Sequence, residues 1–222
     1  MNKVKAVIFD MDGVLVDSEP FHIQNEKMMF KKLGLDISDE EHATYMGAAT
    51  DVMWTQIIND KNLTLDIAET TALTISESLP FLRSIPKIDP MPGLIDLLEK
   101  LKAKLIPMAV ASSSDPETID IILGKSGLKK YFEYAVSSIE AGKSKPEPDV
   151  FLYAAKLLKV SPENCLVIED SKNGVKAAKA AKMFCVGYSG ASTEKQDTGL
   201  ADMHISHFSE IENRITDWID NN

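Results

Sequence analysis

Short segments that are apolar throughout recur along the chain and alternate, over much of its length, with amphipathic helical patterns. The apolar segments span residues 6–9, 108–111, 134–136, 166–168, 184–186 and, more weakly, 204–205. Because they lack an alternation of apolar and polar positions, they are typical of strands that are covered on both faces. We therefore predict a parallel sheet of six strands.

Helical patterns fill the intervals between strands from residue 92 onward. Their apolar stripes are Leu94, Leu97, Leu98 and Leu101; Ile119, Ile122 and Leu123; Val150, Ala154, Leu157 and Leu158; and Val175, Ala178 and Ala181. Pro92, Pro116 and Pro148 precede the first three stripes and mark where those helices start, and Gly174 precedes the fourth stripe. Alternating strands and helices predict an α/β fold with a Rossmann-like, doubly wound parallel sheet.

Residues 18–85 interrupt this alternation, because their patterns predict helices only. We expect a first helix that ends at Gly34, a second that begins with a capping box at Ser38, and two more at 52–61 and 66–79. Four of the ten prolines follow, between residues 80 and 92. We therefore expect an α/β core of residues 1–15 and 88–222, and an inserted all-helical cap domain, residues 16–87, that acts as a lid.

The composition is that of a globular protein, and it narrows the range of partners. Of the 222 residues 44% are hydrophobic, and the net charge of −10 argues against binding to nucleic acid or to an anionic membrane surface. Cys165 and Cys185 lie in apolar segments, which favours buried free thiols in a reducing cytoplasm. The N-terminal segment lacks a signal-peptide pattern and no apolar run is long enough to span a membrane, so we expect a cytoplasmic protein.

Polar side chains follow four of the predicted strands. They are Asp10 and Asp12 after the first strand, Ser112, Ser113 and Ser114 after the second, Lys143 and Lys145 in the loop after the third, and Glu169 and Asp170 after the fourth. In open α/β sheets, ligands bind outside the carboxyl ends of the strands. We therefore expect four carboxylates, a group of hydroxyls and a lysine at one edge of the sheet.

Four neighbouring carboxylates indicate a bound cation, because like charges a few ångströms apart raise one another's pKa. Carboxylate oxygens favour Mg²⁺ over zinc, and Mg²⁺ commonly shares its ligands with a substrate phosphate. Serine hydroxyls and a lysine ammonium are suitable partners for phosphoryl oxygens. This combination predicts phosphoryl transfer.

In this order, these residues resemble the four motifs of the haloacid dehalogenase (HAD) superfamily. The motifs are Asp10-Met-Asp12-Gly13-Val14, Ser112 after a strand, Lys145-Pro146 and Glu169-Asp170. The helical insertion directly after the first motif resembles the cap of the β-phosphoglucomutase-like branch. The resemblance covers nearly the whole chain, and it implies a Mg²⁺-dependent enzyme that acts on a small phosphorylated metabolite and can work as a monomer.

The resemblance implies a role for each motif residue. Asp10 is the nucleophile that forms an aspartyl-phosphate, and Asp12 is the general acid and then the general base. Ser112 and Lys145 bind the transferring phosphoryl group, and Ser113 is a further candidate beside them.

The resemblance also implies a set of Mg²⁺ ligands. They are Asp10, the main-chain carbonyl of Asp12, and Asp170, with Glu169 as a further ligand or as a support for the others. Gly13 allows the backbone to turn away tightly behind the two aspartates.

Simpler structural interpretations compete with some of these roles. Ser114 or Asp115 is expected to cap the helix after Pro116, and Glu169-Asp170 could cap the helix that contains Gly174. In the cap, His22, Gly47 and Thr50 are candidates for facing the substrate, although a lone helix histidine is more often structural or exposed.

The resemblance leaves two activities open, and they differ in whether water or a sugar hydroxyl accepts the phosphoryl group. A β-phosphoglucomutase holds a second phosphate with a cap arginine and with a lysine after its serine motif. Thr50 and Asp115 stand at those two positions. We therefore favour a phosphatase that acts on a small phosphomonoester such as a sugar phosphate, with a hexose phosphomutase as the alternative.

Other classes fit the sequence less well. A haloacid dehalogenase lacks the second aspartate, and a phosphonoacetaldehyde hydrolase needs a Schiff-base lysine in its cap. A receiver-type signalling domain does not use a cap and expects its acceptor aspartate in mid-chain. A binding module without activity would leave the acidic residues unexplained.

Overall fold

The computed structural model describes residues 3–45, 50–190 and 198–220. The chain divides into two compact units, an α/β unit of Met1–Ser18 and Lys87–Asn222 and a helical unit of Glu19–Pro86. Among the described residues, no helix combines the length and the apolar character that crossing a membrane requires.

A single parallel sheet forms the centre of the α/β unit. Its strands are β1 (Ala6–Phe9), β2 (Met108–Ser112), β3 (Tyr134–Ser137), β4 (Cys165–Glu169), β5 (Phe184–Tyr188) and β6 (Met203–Ile205). They lie in the order β3-β2-β1-β4-β5-β6, so β1 pairs with β2 on one side and with β4 on the other. The α/β, Rossmann-like fold predicted from the apolar segments is therefore confirmed.

The helical unit contains α1 (Glu19–Lys32), α2 (Asp39–Ala43), α3 (Thr50–Asp60) and α4 (Ile67–Ser84). Ser38 caps α2 by accepting a hydrogen bond from the Glu41 amide, as the sequence indicated. The predicted end of the last helix before Pro80 is wrong, because α4 continues to Ser84. Pro80 has no amide proton and so cannot donate to the carbonyl of Ser76, one helical turn earlier. Ser76 is exposed to solvent, and the buried side chain of Leu82 anchors the final turn.

Six helices complete the α/β unit within the described residues. They are α5 (Leu94–Ala103), α6 (Pro116–Lys125), α7 (Ser138–Ala141), α8 (Asp149–Leu158), α9 (Lys172–Ala180) and α10 (Ser209–Asp220). Two 3-10 turns, Lys129–Tyr131 and Pro162–Asn164, lead into β3 and β4. Of these helices, α7 and α10 have no counterpart in the sequence prediction.

The core of the α/β unit explains why the strands are apolar throughout. Every residue of β1, β2 and β4 is buried, and one face of the sheet packs on α8 and α9 through Phe151, Ala154 and Val175. Cys165 and Cys185 are free, buried thiols, as predicted. Burial raises the pKa of Cys165 to about 12, which keeps it as a neutral thiol.

Candidate active site

The carboxyl ends of β1 and β4 lie side by side, which brings the first and last motifs together. Asp10 follows β1 directly, and its amide donates to the Ile168 carbonyl of β4 at 3.0 Å. Glu169 is the last residue of β4, and Asp170 comes next. β2 lies on one side of β1 and β4 on the other, so the strand order reverses at this point of the sheet. Doubly wound sheets bind their ligands in the crevice at such a reversal.

Lys145 lies at the centre of this group of carboxylates. Its ammonium donates to Asp10 Oδ1, to Glu169 Oε1 at 2.8 Å and to the Ala111 carbonyl at 3.2 Å. Its side chain is only 5% exposed, and Nζ lies 4.9 Å from the centre of the Phe151 ring. All three ammonium protons are therefore used, and the aromatic face adds a favourable contact with the cation.

Burial and charge act in opposite directions on the protonation of this group. Burial raises the pKa of Asp10 well above its ordinary value, with Glu169 and Asp170 adding to the effect and Lys145 opposing it. Burial alone would lower the pKa of Lys145, but the carboxylates of Asp10 and Glu169 outweigh it and hold this pKa above its ordinary value. Lys145 is therefore the fixed positive charge that allows carboxylates to be buried here.

Three carboxylates present oxygens to a common point. Oxygens of Asp10, Glu169 and Asp170 all lie within 4.8 Å of one another. Burial, reinforced by Glu169, raises the pKa of Asp170 to about 7. A divalent cation would favour the ionised form of these groups, and oxygen donors suit Mg²⁺, so the residues fit such an ion.

The two oxygens of Glu169 are already engaged. Oε1 accepts from Lys145, and Oε2 accepts from the Ser171 amide at 2.6 Å. Asp10 also accepts from Lys145, through Oδ1, whereas Glu169 is held on both oxygens. Glu169 is therefore better suited to supporting the metal ligands than to binding a metal ion directly.

Two glycines make room for the carboxylates. Gly13 has a φ of +75°, and a Cβ on it would lie 2.0 Å from Asp170 Oδ2. Gly174 lies inside α9, where a Cβ would lie 1.5 Å from Glu169 Oε1. α9 therefore contains Gly174, as the sequence indicated. Ser171 caps the helix by accepting a hydrogen bond from the Gly174 amide. The absence of a side chain at Gly174 leaves room for the carboxylate of Glu169.

Ser114 contacts the second aspartate, a contact that the sequence did not reveal. Its hydroxyl donates to Asp12 Oδ2 at 3.2 Å, and its amide donates to Ser112 Oγ at 3.0 Å. Ser112 is fully buried, whereas Ser113 is exposed. Asp115 caps α6 by accepting hydrogen bonds from the Glu117 and Thr118 amides. Of the two candidates for this cap, Asp115 is therefore the residue that forms it, and the Ser114 hydroxyl bonds Asp12 instead.

The candidate residues of the predicted cap belong to the helical unit. His22 is exposed on α1, and Thr50 is the half-buried first residue of α3. Gly47 lies outside the described residues. The histidine that the helical unit does bury is His42, whose Nε2 lies 2.5 Å from Glu26 Oε2.

Comparison with known proteins matches this chain to one family. The model for haloacid dehalogenase-like hydrolases matches residues 4–182. A phosphorylated carbohydrates phosphatase of Thermotoga maritima is 32% identical over 80% of this chain and 82% of its own. The β-phosphoglucomutase of Bacillus subtilis is also 32% identical, over 83% of each chain. The chain spans only 18% and 46% of two longer relatives.

A solved structure shows the same architecture. The HAD family hydrolase of Deinococcus radiodurans, determined with bound phosphate and sodium, superposes with a TM-score of 0.77. It is 25% identical and covers 98% of this chain and 97% of its own. From the family match, together with the strand-end carboxylates and Lys145, it follows that this chain belongs to the haloacid dehalogenase-like hydrolases.

Proposed function

We propose that this hydrolase is a phosphatase that removes the phosphoryl group from a small phosphorylated sugar by way of a phosphorylated Asp10. The observation that carries the proposal is the buried ammonium of Lys145, which bridges Asp10 and Glu169 at the switch point of the sheet. A buried cation beside a buried carboxylate provides a nucleophile and a charge partner for a phosphoryl group in one place.

The reaction takes place in two displacements at phosphorus. A carboxylate oxygen of Asp10 attacks the phosphorus, the bond to the sugar oxygen breaks, and Asp12 gives its proton to that oxygen. Water then attacks the phosphorus of the aspartyl-phosphate, Asp12 accepts a proton from the water, and inorganic phosphate leaves with Asp10 restored. The two aspartates divide the work because Asp10 has to be ionised when Asp12 is protonated.

Lys145 and Ser112 hold the phosphoryl group during these steps, with exposed Ser113 as a further contact. Lys145 exchanges its bond to Asp10 for a phosphoryl oxygen once the Asp10 oxygen becomes bonded to phosphorus. Ser112 Oγ accepts from the Ser114 amide, which leaves its own proton to donate to a phosphoryl oxygen. These donors offset the negative charge that spreads over the transferring group.

Mg²⁺ is the metal that the site would hold, through Asp10, Asp170 and the main-chain carbonyl of Asp12, with Glu169 behind them. When bound, it would neutralise charge on the carboxylates and on the phosphoryl oxygens. Asp10, Glu169 and Asp170 support this assignment because their oxygens converge within 4.8 Å in a buried setting.

A phosphorylated sugar is the proposed substrate because the similar protein from Thermotoga maritima is a phosphorylated carbohydrates phosphatase. In this proposal residues 16–87 form the lid, and His22, Gly47 and Thr50 face the substrate. The enzyme works in the cytoplasm as a monomer. A screen of sugar phosphates and other small phosphomonoesters, with release of inorganic phosphate as the readout, would identify the substrate.

The direct test of the chemistry is Asp10→Asn. We expect this variant to lose Mg²⁺-dependent hydrolysis of 4-nitrophenyl phosphate by more than about 10³-fold, because the amide is a far weaker nucleophile. Asp120→Asn, which changes an exposed carboxylate of α6 paired with Lys129, is the matched control and is expected to keep full activity. Retained turnover in Asp10→Asn would refute the assignment of the nucleophile.

A hexose phosphomutase is the second candidate, because a relative of equal identity is a β-phosphoglucomutase. Asp115 weighs against it. Partial burial alone would raise the pKa of Asp115, but hydrogen bonds from Thr118 and Glu117 outweigh it and hold this pKa below its ordinary value. A fixed negative charge at this position disfavours a second substrate phosphate.

One assay separates the two activities. Supply β-glucose 1-phosphate with glucose 1,6-bisphosphate as primer, and measure glucose 6-phosphate and free phosphate together. We expect phosphate release to dominate. Efficient isomerisation with little free phosphate would overturn the choice of phosphatase.

A further inference from the structure

Three serines from two neighbouring strand ends form one hydrogen-bonded group, which we call the serine brace: Ser112, Ser114 and Ser137. Ser112 ends β2 and Ser137 ends β3, and the two are partners in the parallel register. Both are fully buried. Buried hydroxyls at the end of a sheet are expected to hold something in place, because an unbonded buried hydroxyl destabilises a fold.

What the brace holds is the backbone of Ser114, from both sides. The Ser114 amide donates to Ser112 Oγ at 3.0 Å, and the Ser114 carbonyl accepts from Ser137 Oγ at 2.7 Å. Ser137 Oγ in turn accepts from the Ile139 amide at 3.1 Å, which fixes the direction of its own proton. Neither peptide group that flanks the Ser114 Cα can turn without losing a hydrogen bond to a buried serine hydroxyl.

The fixed backbone aims the Ser114 hydroxyl at one oxygen of Asp12. This hydroxyl donates to Asp12 Oδ2 at 3.2 Å. Asp12 is half-buried and lies directly before Gly13, which has no side chain that could pack against it. The chain therefore orients this carboxyl group from a different strand.

We infer that Ser114 is a positioning residue for Asp12, and that Ser112 and Ser137 act on Asp12 through it. With Oδ2 engaged by the hydroxyl, Oδ1 is the oxygen left to exchange a proton with the substrate. The inference rests on the proposed function for its effect on catalysis, because Asp12 is the proposed acid and base. Its structural part, the orientation of Asp12, does not.

The first test compares two esters that differ in their need for a proton on the leaving oxygen. Phenol has a pKa of about 10, like a tyrosine side chain, whereas 4-nitrophenolate is a much better leaving group. We expect Ser114→Ala to lower kcat/KM for phenyl phosphate about 10-fold to 100-fold, and for 4-nitrophenyl phosphate less than about 3-fold, because general acid catalysis contributes on that scale.

Two further variants give the controls. Ser114→Thr keeps the hydroxyl and is expected to restore most of the loss. Ser126→Ala removes a serine hydroxyl at the far end of α6, where it bonds the Ile122 carbonyl, and is expected to leave both esters unaffected. An equal loss on both esters in Ser114→Ala, or no loss on phenyl phosphate, would overturn the inference.

A double-mutant cycle tests whether Ser137 acts through Ser114. Ser137→Ala is expected to lower the phenyl-to-nitrophenyl ratio in the same direction as Ser114→Ala, but less. The double variant is expected to be no worse than Ser114→Ala alone, because residues acting through one contact are not additive. Losses that multiply in the double variant would show that the two serines act separately.

A crystal structure of Ser114→Ala tests the orientation without any turnover. We expect the Asp12 carboxylate to leave the position it has in the parent protein, and an unchanged Asp12 would refute the inference whatever the activity. If the parent protein hydrolyses no phosphomonoester, the proposed function fails, and this structure still decides the brace.

Discussion

The two units of the molecule bury polar groups in different ways. In the α/β unit the buried ionisable groups Asp10, Lys145 and Glu169 are gathered at one edge of the sheet, where Lys145 pairs with both carboxylates. In the helical unit the polar groups within the core are mostly neutral and join helices. Charge is buried where chemistry is expected, and neutral hydrogen bonds are buried where only packing is needed.

The helical unit shows the second pattern in a chain of bonds that crosses three helices. Trp54 Nε1 of α3 donates to Thr74 Oγ1 of α4 at 2.8 Å, and Thr74 Oγ1 donates to the Thr70 carbonyl at 2.9 Å. Asn25 Nδ2 of α1 donates to the Thr74 carbonyl at 3.4 Å. Phe30 packs edge-on against Trp54 beside this chain. These neutral contacts give the small helical core a defined arrangement, in addition to the contact between buried His42 and Glu26.

The largest effect is expected where the charge pairing is broken. Lys145→Met removes the cation between Asp10 and Glu169 while keeping most of the side-chain volume. We expect hydrolysis of 4-nitrophenyl phosphate to fall by about 10³-fold, because a preorganised charge partner of the phosphoryl group is lost. Steady-state kinetics with a circular dichroism check of the fold measure this.

Lys129→Met is the control for that change, since Lys129 is exposed and pairs with Asp120 on the surface. It is expected to leave turnover unchanged. Comparable losses in the two lysine variants would mean that buried pairing at Lys145 has no special role.

A methyl group can disturb the same pairing without altering any charge. In Gly174→Ala the new Cβ would lie 1.5 Å from Glu169 Oε1, so Glu169 has to move and loosen its bond to Lys145. We expect turnover to fall about 100-fold, because a displacement of about 1 Å in a catalytic group has effects of that size.

Gly124→Ala is the matched control, because it places the same methyl group in a helix where nothing lies within 4 Å. We expect unchanged turnover and a gain in stability of about 0.5–1 kcal/mol from the better helix former. Full activity in Gly174→Ala would show that Glu169 tolerates displacement.

The pH dependence of stability is expected to report on the buried carboxylates of the α/β unit. The pKa of Asp170 is raised to about 7 in the folded protein, against 3.8 ordinarily, mainly by burial. Between these values the folded state binds more protons than the unfolded state, so the free energy of unfolding falls as pH rises from about 4 to 7.

Thermal unfolding of metal-free protein in EDTA across that pH range measures this loss. Asp170→Asn is expected to flatten the dependence, and Asp120→Asn, an exposed carboxylate, is expected to keep it. Asp10 contributes in the same direction, so the difference between the parent protein and Asp170→Asn is the quantity to compare. Identical curves for the two would contradict the raised pKa.

The smallest effect on turnover is expected from the helical unit. Trp54→Phe removes the bond to Thr74 and leaves a small cavity, which we expect to cost about 2 kcal/mol of stability. Urea denaturation measures the loss, and turnover of 4-nitrophenyl phosphate well below the unfolding transition is expected to stay within about twofold. A loss of turnover as large as that of Gly174→Ala would erase the contrast between the units.

The sheet could be predicted from the sequence because its strands are buried on both faces. Continuous apolar runs marked β1, β2 and β4. The polar residues after these runs could be assigned to a site because ligands bind at the carboxyl ends of the strands. The helix stop before Pro80 was wrong because proline lowers only local propensity, and burial of Leu82 together with a solvated carbonyl outweighs it.

Contacts between side chains of distant segments could not be predicted. The bond from Ser114 to Asp12 joins the segment after β2 to the segment after β1, and no local pattern encodes a contact between residues so far apart in the chain. The reason for a glycine at position 174 is similar, because only the structure shows that a side chain there would meet Glu169. The lid role of the helical unit stays a prediction.

The pairing of β1 with β2 has a consequence for how the protein can change over evolutionary time. Val7 pairs with Met108, and the whole helical unit lies within the loop that this pairing closes. The entropy of loop closure grows only logarithmically, so doubling the length of a flexible loop costs about 0.6 kcal/mol. The inserted segment can therefore be lengthened, shortened or exchanged at little thermodynamic cost to the sheet. Sequence changes can accumulate there while the carboxylates and Lys145 stay where they are.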